Sequence, residues 1–229
     1  ILKKLEGGKG KQPLTKPLRR ALYPERFGPG QARVDFSKRA PSCLDRVSLA
    51  REIVSAAYKI APFRRIRVAM YTSAAQWIAF DAFRIRRSDT PIPRLASVTP
   101  TLKALISWTE ARIGSIVVED IERAGDRLRP DSADRLALDM FSRACRIERV
   151  DLAVGGAEGE GSRILLLFTY DRSRQRLPGQ TIAAIEAMAA ESVTALHRMD
   201  LLEQVRKSER LAALGQMASG IAHEIKNPL

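Results

Sequence analysis

The sequence predicts an α+β fold, in which an antiparallel sheet flanked by helices is followed by one long helix. The first observation is a set of short apolar or alternating runs, rich in β-branched and aromatic residues, that are typical of strands. The second is their order, since helical patterns lie before, between and after two pairs of such runs. The third is the segment from 179 onwards, which has no proline before Pro228 and is dense in helix formers.

The individual elements follow from spacing and from turn residues. Apolar residues recur at helical spacing over 44–58, with Asp45 or Ser42 as the cap and Pro62 as the end of the helix. Two further helices are predicted at 101–112 and 131–145. Strands are predicted at 66–71, 77–85, 116–118, 149–154 and 163–170.

A glycine-rich stretch, 155–161, separates the last two predicted strands. A loop that cradles a phosphate is the alternative to a tight turn here. Such a loop ends in Lys followed by Ser or Thr and leads into a helix, and neither feature is present. The stretch therefore favours a β-hairpin.

The chain has 229 residues, of which 45% are hydrophobic, enough for one core and a helical extension. Its net charge of +13 is concentrated at the start, where residues 1–40 carry eleven Lys and Arg and three acidic residues. Together with frequent Gly and Pro, this predicts a basic flexible arm over 1–41. Contact of the arm with a membrane surface or nucleic acid is left open. For the chain as a whole no nucleic acid is expected, because aromatic residues are only 6% and follow strand patterns.

No run approaches the roughly 18–20 consecutive apolar residues that cross a bilayer. Cys43 and Cys145 form no metal or redox motif, and His197 lies too far along the helix from His223 to share a metal with it. We expect a cytoplasmic segment with reduced thiols and no metal, attached to a membrane only through sequence outside it. Since it begins at Ile1 and stops at Leu229, we expect both ends to be cuts through a longer protein.

The predicted helix from 179 onwards is too long to belong to one domain alone. Its apolar residues recur every three or four positions over 182–205 and over 211–225, whereas 198–210 is more charged and less regular. Within 198–210 we expect the apolar residues to shift from one side of the helix to another. Such a helix projects and buries its apolar stripe against a partner, which predicts a parallel coiled-coil homodimer.

His223 lies near the end of this helix and away from its apolar stripe. On a helical wheel with about 100° per residue and Ser219 at zero, His223 lies at about 40° and Asn227 at about 80°. The apolar residues of this stretch lie between about 160° and 260°. This position argues against a histidine packed in a core. An ordinary surface histidine is the alternative, and His197 is interpreted as a surface or seam residue.

The neighbours of His223 suit phosphoryl transfer to an imidazole. That reaction needs an exposed nucleophilic nitrogen and a base for the other ring proton. The carboxylate of Glu224, by accepting one ring N–H, raises the basicity of the other nitrogen and fixes the tautomer. Asn227 lies on the same face and is placed to orient a water. Pro228 disturbs the helix at Glu224, next to the reacting residue.

The ungapped run of 21 residues from 209 to 229, ERLAALGQMASGIAHEIKNPL, resembles the H-box helix of bacterial sensor histidine kinases. The resemblance implies that His223 is the phosphoacceptor and Glu224 the general base. It implies that Asn227 helps hydrolyse the phosphoryl group on a partner response regulator, and that the helix enters a four-helix bundle of a homodimer. The second hairpin helix and the ATP-binding domain are absent from the sequence. ATP and Mg²⁺ are therefore expected in a missing catalytic domain, and no cofactor in this chain.

The preceding region is similar, in the order and length of its elements, to a GAF-type sensor domain, a PAS-like antiparallel sheet with helices. The likeness is strongest at 164–168 followed by 181–189, which resemble the last strand and exit helix of that family. The resemblances together imply a basic arm (1–41), a GAF-like sensor domain (42–178), a linker helix (179–208) and the start of a dimerisation and phosphotransfer domain (209–229).

The function implied is that of the sensory and phosphoacceptor portion of a two-component protein histidine kinase. A signal sensed by the GAF-like domain would control phosphorylation of His223 and transfer to the aspartate of a response-regulator receiver domain. Whether the sensor domain binds a small-molecule ligand is left open. Four aromatic residues are candidates to line a pocket, namely Trp77, Phe80, Phe83 and Trp108. Packing in the core is the favoured interpretation of all four. The alternative function is a non-catalytic dimeric GAF-type signalling module with a vestigial H-box.

Overall fold

Six strands in the described residues form one antiparallel sheet in the order β3-β2-β1-β6-β5-β4. The computed structural model describes residues 28–71, 76–84, 91–110, 114–126, 129, 132–158, 161–170 and 177–226. The strands are β1 (Arg65–Tyr71), β2 (Trp77–Phe83), β3 (Arg94–Ala96), β4 (Gly114–Val117), β5 (Leu152–Glu158) and β6 (Ser162–Thr169). The predicted α+β class, with an antiparallel sheet flanked by helices, is confirmed.

The strands β1 and β6 form the middle of the sheet. Ile66 lies opposite Phe168, and Met70 lies opposite Ile164. Most residues of both strands are buried, on whichever face of the sheet their side chains point. Helices cover both faces of the sheet, and this is why β6 reads as a nearly continuous apolar run, whereas β1 alternates at its start, where Arg65 and Arg67 face one side of the sheet.

One face of the sheet is covered by α1 (Pro29–Arg39), α2 (Arg46–Ile60) and the first part of α6 (Gly179–Lys226). The other face is covered by α3 (Pro100–Glu110), α4 (Val118–Gly125) and α5 (Ala133–Glu148). Because successive strand residues point to opposite faces, β6 contributes Leu166 to the first layer and Leu165 to the second.

The helix α1 corrects part of the predicted flexible arm. It begins with Pro29 in its first turn, where a proline lacks only an N–H that a helix leaves unbonded anyway. Ala32, Phe36 and Ala40 follow one another at intervals of one turn and are buried in the core. Residues 28–41 therefore belong to the folded domain, and the rest of the predicted arm, residues 1–27, lies outside the described residues.

Two other predicted boundaries shift. The helix α5 continues to Glu148 and is ended by Arg149, which adopts a left-handed conformation with φ of 55°, so β5 begins at Leu152 rather than at 149. Neither the helix α4 nor the strand β3 was predicted from the sequence, and the strand predicted at 116–118 is β4, which ends at Val117 because Val118 begins α4. The predicted hairpin of the last two strands is confirmed, with Glu158 paired to Ser162, and Gly155 and Gly156 lie within β5 rather than in its turn.

The helix α6 has 48 residues and changes its surroundings along its length. Up to Asp200 one side of it is buried against the sheet and against α1 and α2. Residues 201–218 are all exposed. The domain therefore ends in a helix that projects from it. No helix in the described ranges combines the length and hydropathy that crossing a membrane requires.

Candidate functional site

The predicted phosphoacceptor region lies in the projecting part of α6. His223 and Glu224 fall in the last turns of the helix, which ends at Lys226. Asn227 and the side chains of His223 and Glu224 lie outside the described part of the structure. At 1.5 Å per residue, His223 stands roughly 33 Å along the helix from Leu201, where the exposed segment begins. The backbone is helical through His223, as the placing of His223 on a polar face of the helix assumes.

The projecting segment carries large apolar side chains in water. They are between 45% and 69% exposed, and they recur mostly at intervals of three or four residues, at Leu201, Leu202, Val205, Leu211, Leu214 and Met217. A monomer gains nothing from apolar side chains on a free helix, whereas a partner helix would bury them. The segment is therefore a surface suited to a second helix.

The apolar residues change side along this segment. On a helical wheel with about 100° per residue and Asp200 at zero, Leu201 and Val205 lie at about 100° and 140°. Leu214 and Met217 lie at about 320° and 260°. The helix is continuous between them. The first pair thus faces away from the domain core, and the second pair has the phase of the buried side of α6.

A cluster of polar side chains holds α6 where it leaves the domain. We call it the exit cluster, and it consists of Arg46, Ser162, His197, Asp200 and Glu203. The guanidinium of Arg46 forms an ion pair with Asp200 and lies 3.4 Å from Glu203. The hydroxyl of Ser162 donates to Oδ2 of Asp200 at 3.2 Å and lies 3.2 Å from Nδ1 of His197.

The exit cluster contains Ser, His and Asp but lacks the geometry of a hydrolytic triad. In such a triad the aspartate orients the histidine and the histidine takes the serine proton. Here Asp200 binds Ser162 and Arg46, and Ser162 is only 1% exposed, so no substrate reaches its hydroxyl. The chemistry of the cluster is therefore that of a structural contact between α2, β6 and α6.

A second polar cluster is buried between the sheet and the layer of α3 to α5. We call it the inner ion network, and it consists of Arg65, Arg67, Asp81, Glu148 and Thr99. Asp81 accepts two hydrogen bonds from each arginine at 2.8–3.1 Å, and Arg67 also donates to Glu148 at 2.5 Å. Thr99 donates to the other oxygen of Glu148 and caps α3 by accepting from the Leu102 amide.

The ionisation of this network is set by burial and by the arginines. Burial alone raises the pKa of the Asp81 carboxyl, but hydrogen bonds from Arg67 and Arg65 outweigh it and hold that pKa below its ordinary value. Burial alone lowers the pKa of Arg67, and its hydrogen bond and attraction to Asp81 reverse the shift and raise it. Both partners are therefore charged at neutral pH, and the network is an internally balanced structural unit.

The aromatic residues that would line a ligand pocket do not share one. Phe80 belongs to the core under α1, α2 and α6, whereas Trp77 and Trp108 pack on the opposite side of the sheet. Phe83 is 58% exposed and lies beneath the guanidinium of Arg65. Trp108 stacks on Phe141 with ring centroids 3.9 Å apart. These aromatics act as core and surface residues, and the sensor ligand left open by the sequence gains no support from them.

Sequence reasoning missed most residues of both clusters. His197 was interpreted as a surface or seam residue, and the structure places it half-buried beside Ser162. A pattern that could have indicated the inner ion network is the placing of Arg65, Arg67 and Asp81 at alternate positions of apolar strands, on one face. Among the described residues no group of His, Cys, Asp and Glu is arranged to hold a metal ion, and Cys43 and Cys145 do not form a disulfide.

Fold and site together define an α+β domain with a projecting helix. The chain matches no protein-family model and no curated protein. Among solved structures it is similar to the crystal structure of bacteriophytochrome RpBphP3 from the photosynthetic bacterium R. palustris, with 14% identity and a TM-score of 0.46. The match covers 81% of this chain and 41% of that one, so the chain spans less than half the length of that protein. A likeness at this level assigns neither function nor partner.

Proposed function

We propose that this chain is the sensory and phosphoacceptor portion of a two-component histidine kinase, with His223 as the phosphorylated residue. The observation that carries the proposal is the H-box-like run 209–229, most of which lies on the continuous helix α6 beyond the end of the domain. A phosphoacceptor must be reached both by a catalytic domain and by a receiver domain. A helix that projects from its own domain is suited to that double access.

The proposed reaction is a phosphoryl transfer. One ring nitrogen of His223 attacks the γ-phosphorus of ATP, a P–N bond forms, and the bond from that phosphorus to the bridging oxygen breaks to release ADP. Glu224 accepts the hydrogen bond of the other ring N–H and stabilises the positive charge that develops on the imidazole. The phosphoryl group then passes to an aspartate of a response-regulator receiver domain. ATP and Mg²⁺ would be bound by a separate catalytic domain.

The sheet and its helical layers would serve as a GAF-like sensor domain, joined without a break to a helix that transmits its state. The proposed sensor domain extends from residue 28 rather than 42, because α1 packs into its core. The proposed assembly is a homodimer through α6, supported by the exposed apolar residues of 201–218. A dimer brings two copies of the H-box helix together, which a four-helix bundle needs.

The test is transfer in trans. The 229-residue chain is mixed with a purified histidine-kinase catalytic domain, Mg²⁺ and ATP labelled at the γ-phosphate. We expect acid-labile, alkali-stable label on the chain, none on the His223→Gln variant, and full labelling of His197→Gln, which removes the other histidine of the sequence. Labelling that persists in His223→Gln refutes the site. No label on any variant, with a folded dimer, favours the non-catalytic signalling module instead.

A second readout addresses Asn227. We expect Asn227→Ala to retain the label on His223 and to lose the ability to accelerate dephosphorylation of a phosphorylated receiver domain. Orienting a water for hydrolysis needs the amide, whereas formation of the P–N bond does not. Equal loss of both activities would contradict this division of roles.

A further inference from the structure

The exit cluster stands where the burial of α6 ends. Asp200 is 6% exposed, and every residue from 201 to 218 is exposed. His197, Asp200 and Glu203 follow at intervals of three residues, so they share one side of the helix within two turns. The cluster therefore acts on the last part of α6 that the domain still holds.

The contacts of the cluster reach two separate parts of the domain. Arg46 is the first residue of α2, whose start is fixed by a capping box in which Asp45 accepts from the Ser48 amide at 2.8 Å. Ser162 is the first residue of β6 and lies next to the β5–β6 hairpin turn. Both parts of the domain contact the same carboxylate of α6, that of Asp200, so a movement of either α2 or the hairpin acts on α6 at this residue as well as through the surrounding contacts.

The hydrogen bonds form a polarised chain. The Ser162 hydroxyl has one proton and donates it to Asp200, so its oxygen is free to accept from Nδ1–H of His197. On its other oxygen Asp200 accepts from Arg46. Loss of Arg46 would leave a buried carboxylate with one neutral donor, which is an unfavourable arrangement inside a protein. Hydration of this carboxylate then favours a movement of α6 away from the domain.

The cluster is also incompletely satisfied. The Nε atom of Arg46 is buried and has no hydrogen-bond partner among the described residues. The pair to Glu203 is long at 3.4 Å, and the Glu203 side chain is 59% exposed. A contact with one strong ion pair and several weaker bonds opens more easily than the apolar core around it.

From these contacts we infer that the exit cluster is a latch, which fastens α6 to α2 and β6 and opens locally while the sheet stays folded. Closed, it fixes which side of α6 faces the domain, and hence which apolar residues of 201–218 are available to a partner. Open, it frees the helix around residues 197–204. The latch does not require that His223 accepts phosphate, so it stands or falls independently of the proposed function.

The test is hydrogen exchange of the full 229-residue chain, followed by mass spectrometry of its peptides. We expect Arg46→Ala to speed exchange of the amides at 197–204 by about tenfold or more, since local opening governs exchange there. The β6 amides at 164–168 should exchange at the wild-type rate. Ser162→Ala, which removes only the neutral donor, should have a smaller effect in the same segment.

A matched control and two outcomes decide the proposal. Arg123→Ala removes an arginine from an exposed ion pair on α4 and should leave 197–204 unchanged. Unchanged exchange of 197–204 in Arg46→Ala overturns the latch. So does an equal acceleration of 197–204 and 164–168, because the cluster would then contribute only to global stability. Asp200→Asn, which keeps the shape and the Ser162 bond, provides the same comparison if Arg46→Ala does not fold.

Discussion

Gly156 of β5 lies so close to Val193 of α6 that a Cβ atom on the glycine would stand 2.8 Å from the Cγ2 atom of the valine. The same Cβ atom would stand 3.5 Å from the carbonyl oxygen of Ala189. The missing side chain lets α6 approach the sheet, and the valine methyl has little freedom to move because its χ1 angle is restricted.

Replacement of this glycine tests how closely α6 must pack. We expect Gly156→Ala to lower the free energy of unfolding by about 1–3 kcal/mol, the usual cost of overpacking. Urea unfolding followed by circular dichroism measures it. The double variant Gly156→Ala/Val193→Ala should regain part of the loss. Gly161→Ala, whose Cβ would meet nothing within 4 Å, is the control and should be near neutral.

The inner ion network predicts a large effect of a single charge. Asp81→Asn removes the carboxylate that neutralises Arg65 and Arg67, and we expect a loss of about 3 kcal/mol or more of the free energy of unfolding. The exposed pair of Arg123 and Glu119 is the comparison, since Arg123→Ala should cost under about 1 kcal/mol. Equal, small losses in both variants would mean that the buried network contributes little.

The same carboxyl gives a pH dependence of known sign. The pKa of Asp81 is lower in the folded protein than its ordinary value of 3.8. As the pH falls below that value, the unfolded chain takes up the proton first, and the stability contributed by Asp81 is lost as the pH approaches the folded pKa. Between pH 5 and pH 3, the free energy of unfolding should therefore decrease less with falling pH for Asp81→Asn than for the wild type. Urea unfolding curves recorded at several pH values measure this.

Tyr58 predicts a change at the opposite end of the pH scale. Burial raises the pKa of its phenol to about 12, despite the nearby Arg84, and the hydroxyl donates to the carbonyl oxygen of Ala82. The unfolded chain ionises first above the ordinary value of 10.0, so this contribution to stability is lost as the pH rises through about 12. In an ultraviolet titration of tyrosinate, Tyr58→Phe should remove the step near pH 12. An unchanged high-pH step would assign it to another tyrosine.

Local patterns were sufficient to predict the fold class and five of the six described strands, because alternation and apolar runs report burial directly; the three-residue strand β3 was missed. They failed where a few buried apolar side chains lie in a segment whose overall composition is that of a flexible region. Residues 28–41 are basic overall, yet Ala32, Phe36 and Ala40 at one-turn intervals place α1 in the core. The helix α4 is only eight residues long, so its amphipathic pattern covers about two turns and is too short to be told apart from a strand and a loop.

The candidate site divides in the same way. His223 could be predicted as a phosphoacceptor because the run around it is continuous in sequence, and that prediction depends only on local residues. The exit cluster was not found, since Arg46 and Asp200 are 154 residues apart in the chain. Only the packing of α2 beside the end of the buried part of α6 brings them together. Contacts of this kind depend on the whole fold, and no local pattern of charges specifies them.

The exposed apolar residues of α6 give a test of the proposed homodimer. We expect the 229-residue chain to sediment as a dimer, and Leu214→Asp to shift it towards monomer by weakening association about tenfold or more, since a charge in a coiled-coil seam is poorly tolerated. Gln216→Glu, which adds a charge to an exposed position on another side of the same turn, is the matched control. A Leu214→Asp chain that remains fully dimeric would place the interface elsewhere.

The variant Val205→Asp distinguishes the two apolar sides of the helix. If only one of Leu214→Asp and Val205→Asp loses association, the partner binds the apolar group that contains that residue: the group near the domain for Val205, or the group near His223 for Leu214.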